Sequence, residues 1–215
     1  AGHFEPLSPQ CGKDVAPTAT TEVTPFGPSS FYGLTKQVQE QMVLMFASAI
    51  GIDGFALRYQ NVYGPGQSLT NPYTGILAIF SNLVRQGKGL NIFEDGKESR
   101  DFVYIDDVVA ATAACADPGV HGVAALNVGS GVRTSVLDVA NAIVRHFKAD
   151  VPVAVTGAFR VGDIRHNFAD LSRICGLTGF APQWAFGDGL AQFLSWAEGY
   201  AAGDAGFDRS LEELK

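Results

Sequence analysis

Apolar residues recur at helical spacing through Val38, Met42, Met45, Phe46 and Ala49, in a run headed by Phe31 and Tyr32 that ends at Ile50. Gly51 and the turn Ile52-Asp53-Gly54 stop it. Phe55 to Tyr63 is then β-type throughout and breaks at Gly64-Pro65-Gly66. Helix, turn, buried strand and glycine-rich loop make one αβ unit of a doubly wound sheet, in which ligands lie beyond the carboxyl ends of the strands. Asn61, Tyr63 and the following loop are therefore aimed at a binding crevice.

The pattern predicts a helix over Thr74 to Arg85, a short strand over Leu90 to Phe93, and a strand at Phe102-Val-Tyr-Ile105. Asp106 or Asp107 is then expected to cap a helix over Val108 to Ala116, which makes that acid pair structural. Ala124 to Gly129 reads as the second parallel strand, Thr134 as the start of an amphipathic helix to Lys148, Val151 to Val155 as a strand, and Asp188 to Tyr200 as a closing helix. Residues 1–30 are rich in Pro, Thr, Gly and Ser without apolar period, and read as loop. Gly129-Ser-Gly131 follows a strand, but Thr134 stands where a dinucleotide fingerprint needs its third glycine and no acid follows at Val151 to Val155, so it reads as a plain strand-to-helix turn.

Composition changes this picture little: 215 residues, 47% hydrophobic and 17% charged, suit an ordinary α/β protein. No apolar run reaches membrane-spanning length and no signal peptide opens the chain, so the expected compartment is the cytoplasm, with no membrane partner. A net charge of −7 argues against a nucleic-acid surface. In so acidic a chain Arg100 and Arg160 are open to two readings, a local phosphate site or structural ion pairs. Three widely spaced cysteines suit reduced thiols; Cys115 and Cys175 are expected in the core, and Cys11 lacks the partners for a zinc site, so no metal is expected.

The candidate chemistry is at Tyr32 and Lys36. Four residues apart on a helix, phenol and ammonium share one face, where the fixed positive charge favours the phenolate and lets a tyrosine act as a general base. The same spacing also serves an ordinary amphipathic helix start. Further matches come in order along the chain: Arg58-Tyr-Gln-Asn-Val-Tyr-Gly-Pro65, Asp95-Gly96, Arg100-Asp-Phe-Val-Tyr-Ile-Asp-Asp107, Asn127-Val-Gly-Ser-Gly131 and Arg160-Val-Gly-Asp163. Together they resemble the NAD-dependent epimerase/dehydratase family of nucleotide sugars, the extended short-chain dehydrogenases/reductases, from about Phe26 to about Tyr200. Gln60 to Ser68, Asn71 to Phe80 and Asn91 to Gly96 look most like the dTDP-L-rhamnose 4-epimerases within it.

The resemblance implies the C-terminal part of a Rossmann-like, doubly wound parallel sheet (about 31–63 and 100–131) interleaved with a small α+β substrate-binding subdomain (about 64–99 and 132–200), followed by a tail, 201–215. It implies 4-epimerisation of a nucleotide-diphosphate sugar by transient NAD-dependent oxidation at C4. Tyr32 and Lys36 would be catalytic, Tyr32, Lys36 and Tyr59 would hold NAD, and Asn61, Arg100, Arg160 and Asp163 would hold the substrate. A homodimer through the Tyr-x-x-x-Lys helix is implied too, as Val38, Met42, Val43, Met45 and Phe46 offer more apolar surface than one core stripe uses. The family's glycine fingerprint and catalytic Ser or Thr lie upstream of its tyrosine, where only thirty-one residues stand here, so the expectation is an incomplete chain that alone neither binds NAD nor turns over. The alternatives are a 4,6-dehydratase or keto-sugar reductase of the same family, and a non-catalytic dimerising domain.

Overall fold

The computed structural model describes residues 2–69, 75–159 and 163–200. Arg160, the expected helix start at Thr74 and the tail 201–215 lie outside the described residues. Helix α1 (Phe31–Ile50) begins at Ser30, whose hydroxyl accepts the Gly33 amide, and ends at Gly51, whose φ of 70° is easy only for a residue without Cβ. Then follow β1 (Gly54–Tyr59), β2 (Asn61–Tyr63), α2 (Ile76–Arg85), β3 (Leu90–Ile92), β4 (Ser99–Arg100) and β5 (Phe102–Tyr104). The rest is α3 (Ile105–Cys115), β6 (Val123–Val128), β7 (Thr134–Ser135), α4 (Val136–Phe147), β8 (Val153–Val155), α5 (Ser172–Thr178) and α6 (Phe186–Glu198). Among these helices none is long and apolar enough to cross a membrane.

The run Phe55 to Tyr63, expected as one strand, is two. β1 pairs in parallel with β6, from Gly54↔Val123 to Tyr59↔Val128, whereas β2 pairs in parallel with β5, Asn61↔Phe102 to Tyr63↔Tyr104. The partner changes at Gln60, whose amide still donates to Val128 O while the next amide, Asn61, turns to Asp101 O. β3 and β8 form a further parallel pair, and β4 and β7 a short antiparallel one. Mixed α/β architecture with parallel pairs is what the alternating pattern predicts.

Two apolar cores flank this framework. One gathers Val103, Ala111, Leu126, Val128 and Ile174 around β6, and the other packs Leu77, Phe80, Leu90, Ile92, Ile143 and Phe193 between α2, α4, α6 and β3. Ile105 touches both, and a Cβ on Gly64 would lie 2.4 Å from its Cγ2, so only glycine lets the loop after β2 pass this close.

Three local expectations are corrected. Neither Asp106 nor Asp107 caps α3: the cap position is Tyr104 and makes no side-chain bond, while Asp107 lies buried in the first turn and accepts the Gln183 and Trp184 amides at 2.8 and 3.0 Å. Long-range amides that lack other partners claim its carboxylate before the helix end can. The helix expected from Thr134 starts at Val136, with Ser135 as its cap, because Thr134 and Ser135 are drawn into pairing with β4. Helix α5 is additional, and its Ile174 packs on the β6 core.

Candidate active site

At the head of α1, Tyr32 is 72% exposed, and the Lys36 ammonium stands 5.5 Å from its ring centroid with one side-chain bond, to Gln39 Oε1 at 3.2 Å. Phenol and ammonium thus share a helix face, as the spacing of four predicts. Glu40, one turn on, takes two hydrogen bonds from Arg58 of β1, at 2.8 and 2.7 Å, and Arg58 also donates to Glu22 O and lies over the Phe26 ring. The bonds to Glu40 outweigh burial and raise the guanidinium's pKa above its ordinary value. The pair fastens α1 to the sheet, and so fixes where Tyr32 stands.

Two cavities meet at Tyr32 and Tyr59. The larger, about 700 Å³, is lined by Tyr32, Lys36 and Tyr59 together with Phe26, Glu40 and Arg58. The other, about 630 Å³, is lined by Tyr32, Tyr59, Asn61, Glu98, Arg100 and Asp163, with α2 and the Asn91–Phe93 segment as further walls. The three residues expected to hold cofactor therefore line one cavity, and Asn61, Arg100 and Asp163 line the other. Tyr59 bonds Thr112 Oγ1 at 3.0 Å. Tyr63 also borders the second cavity, but it is a core residue: its hydroxyl donates to Phe186 O, its ring packs on Phe102, Tyr104, Phe186 and Phe193, and burial raises its pKa.

Arg100 and Asp163 come from segments sixty-three residues apart and form an ion pair at 2.9 Å, while the same guanidinium donates to Ser99 O at 3.0 Å. Behind them Arg165 donates to Glu5, Glu94 and Asp95 at 2.6 to 3.2 Å. Burial works against the charged Arg165, yet its bonds to Asp95, Glu5 and Glu94 prevail and raise its pKa. The Arg165 bond is also the main cause that holds the Glu5 and Asp95 carboxyls below their ordinary values. His166 sits between Ser99 Oγ and Glu5 Oε2, at 2.8 and 3.0 Å. The irregular first segment is thereby tied to the loop that carries Asp163.

Several contributors escaped the sequence. Asp101, wholly buried, accepts the Ser130, Gly131 and Ala169 amides and the Ser130 hydroxyl, and so explains the acid beside Arg100 and the glycines after β6. Asn127 joins the first segment to the chain before α5, donating to Thr20 O and Asp170 O. Glu98, two residues before Arg100, lines the cavity with it; alternation along an extended segment is a signal that could have found it. Cys115 is buried and Cys175 half-buried, and among the described residues no cluster of three or more His, Cys, Asp or Glu side chains could hold a metal ion.

Comparison with known proteins gives this geometry its context. A dTDP-L-rhamnose 4-epimerase of Burkholderia thailandensis is 45% identical over 169 residues, which cover 79% of this chain and 46% of the relative. The crystal structure of a UDP-glucose 4-epimerase with UDP-glucose from Thermotoga maritima superposes with a TM-score of 0.76 at 29% identity, over 87% of this chain and 60% of that one. A UDP-glucose 4-epimerase of Thermus thermophilus in complex with NAD gives a TM-score of 0.75 at 25% identity, over 86% and 59%. The chain spans about half the length of the curated relatives it matches. The profile of the NAD dependent epimerase/dehydratase family covers residues 8–129, the stretch that carries Tyr32, Lys36, Tyr59, Asn61 and Arg100, and the chain belongs to that family.

Proposed function

We propose that this chain carries the proton-transfer and substrate-binding side of a nucleotide-sugar 4-epimerase, acting on dTDP-L-rhamnose or a close 6-deoxyhexose nucleotide. The observation that carries the reading is that Tyr32 lines both cavities, one with Lys36 and one with Arg100 and Asp163. A sugar anchored in the second cavity reaches the same phenol that borders the first. The 45% identity to a dTDP-L-rhamnose 4-epimerase supports the narrower substrate.

In this reading Tyr32, Lys36 and Tyr59 would hold NAD, which would accept the hydride of the sugar's C4 and later return it. The fit rests on Lys36, which lines this cavity and spends one donor on Gln39, so that two of its three donors are left for a ribose diol. Tyr32 as phenolate takes the proton of the 4-hydroxyl, and the adjacent ammonium opposes the negative charge that the oxygen carries before the transfer. The resulting ketone stays tethered by its diphosphate, because Arg100, oriented by Asp163, offers a planar fork to phosphate oxygens, with Arg160 as the second arm. The untethered hexose turns, and Tyr32 returns the proton to the oxygen on the other face. A homodimer through the exposed apolar face of α1 belongs to the same proposal.

The test, in the chain joined to the upstream Rossmann half of a relative, is conversion of dTDP-L-rhamnose in the presence of NAD, followed by chromatography. Tyr32→Phe should lower turnover by about 10²- to 10⁴-fold, with nucleotide-sugar affinity unchanged. Undiminished turnover removes Tyr32 as the base.

A further inference from the structure

Glu98 is only 7% exposed, yet it lines the cavity of Arg100 and Asp163. Its backbone is pinned, with its carbonyl accepting the Val136 amide at 2.9 Å. Ser99, between Glu98 and Arg100, sends its hydroxyl to His166, as alternation along an extended chain requires when its neighbours face the cavity. Among the described residues no donor or acceptor meets the Glu98 carboxyl. The charged groups around it are Glu94, Asp163, Arg100 and Arg165. Both arginines are engaged elsewhere, Arg100 with Asp163 and Arg165 with Glu5, Glu94 and Asp95. The parts of α2 and α4 that line the same cavity are apolar, Ile79, Phe80 and Val136 among them.

Glu98 is largely buried, and the part of it that borders the cavity is open to a ligand there. Burial first, then Glu94 and Asp163, push its pKa above the ordinary carboxylate value. A diphosphate arriving at Arg100 adds negative charge on the same side and favours the neutral acid further. A neutral carboxylic acid is also the form that can donate to a phosphate oxygen.

We infer that Glu98 is a substrate-binding residue that acts as the neutral acid, donating its O–H to a phosphate oxygen of the nucleotide sugar beside Arg100. It rests on the nucleotide-sugar reading proposed above and adds a proton to it: binding takes one up from solvent. The cavity is then matched to a diphosphate esterified at both ends, which needs donors at every oxygen, and it discriminates through Glu98 against ligands that place a cation or an amide N–H there.

The experiment is calorimetric titration of the protein with dTDP-L-rhamnose between about pH 5.5 and about pH 8.5, in two buffers of different ionisation enthalpy. Both phosphates of this probe are esterified, so it has no titrating proton of its own in that window. Wild type should show net proton uptake and affinity that weakens by up to about tenfold per pH unit above the carboxyl's pKa. Glu98→Gln, which keeps shape and a donor, should bind with a flat pH profile and no proton uptake. Wild type without proton uptake, or Glu98→Gln with the wild-type uptake and slope, overturns the inference while leaving the nucleotide reading intact. Wild type that does not bind dTDP-L-rhamnose at any pH, or Arg100→Ala that binds it as wild type does, overturns the nucleotide reading and this inference with it. Thermal melts separate binding from folding: Glu98→Gln should gain stability over wild type as pH rises, because the native state holds the Glu98 proton more tightly than the unfolded chain.

Discussion

Arg100 shows how one side chain can satisfy two readings at once. It is both a structural ion pair with Asp163 and a wall of the cavity, so the two roles between which the sequence left it are not exclusive. Arg100→Ala should weaken dTDP-L-rhamnose binding by about 10- to 100-fold, the equivalent of losing a charge-assisted hydrogen bond of about 1.5–3 kcal/mol. Arg100→Lys should recover only part of it, since a point charge cannot reproduce the planar fork. Gly129 is constrained differently: a Cβ there would lie 2.5 Å from Asp101 Oδ2 and 2.9 Å from Gln60 Cγ. Because Asp101 is held by four donors it cannot yield, and Gly129→Ala should cost about 1–3 kcal/mol, read as a lowered midpoint in thermal unfolding.

Helix α1 is the element on which most depends, and little of it is buried. Of its residues only Ala47 is buried, and a Cβ on Gly54 would lie 2.5 Å from the Ala47 methyl, so helix and strand approach closely at this point. The Arg58–Glu40 pair is the second fastening. In a double-mutant cycle, Arg58→Met and Glu40→Gln should show a coupling of about 1.5–3 kcal/mol, and the single variants should lower turnover by misplacing Tyr32. Met42, Met45 and Phe46 remain largely exposed on the same helix. Sedimentation should find wild type dimeric and Phe46→Glu shifted to monomer; a monodisperse wild-type monomer at high concentration would count against pairing through α1.

At the scale of the whole molecule, the first segment is tied to the chain after Asp163 by Glu5, Arg165 and His166. Glu5 and Asp95 have pKa values lowered from ordinary values of 4.5 and 3.8, first by Arg165. A carboxylate with a depressed folded-state pKa contributes stability that is complete above its unfolded value and lost as pH falls through its folded one. Acidification below about pH 4.5 should therefore release residues 5–17 to proteolysis before the cores unfold. Arg165→Met should release them already at neutral pH.

The αβ unit at 31–63, helices α3, α4 and α6 and the shared face of Tyr32 and Lys36 were legible in the sequence, because periodicity, glycine stops and helical spacing are local properties of the chain. Family order along the chain also pointed to Asn61, Arg100 and Asp163, which the fold brings to one cavity. What the sequence could not contain is partnership at a distance. Gln60 divides one β-type run because its two ends find different strands, Asp107 leaves the helix end for amides of residues 183 and 184, and Thr134 joins a strand because Arg100 pairs with it. Local propensity is worth a fraction of a kilocalorie per residue, whereas a buried amide without a partner costs more, so tertiary structure decides wherever the two compete. Glu98 is of the same kind: its place in the sequence is that of any polar residue before a strand, and only the closure of the surrounding elements makes it a buried acid facing the cavity.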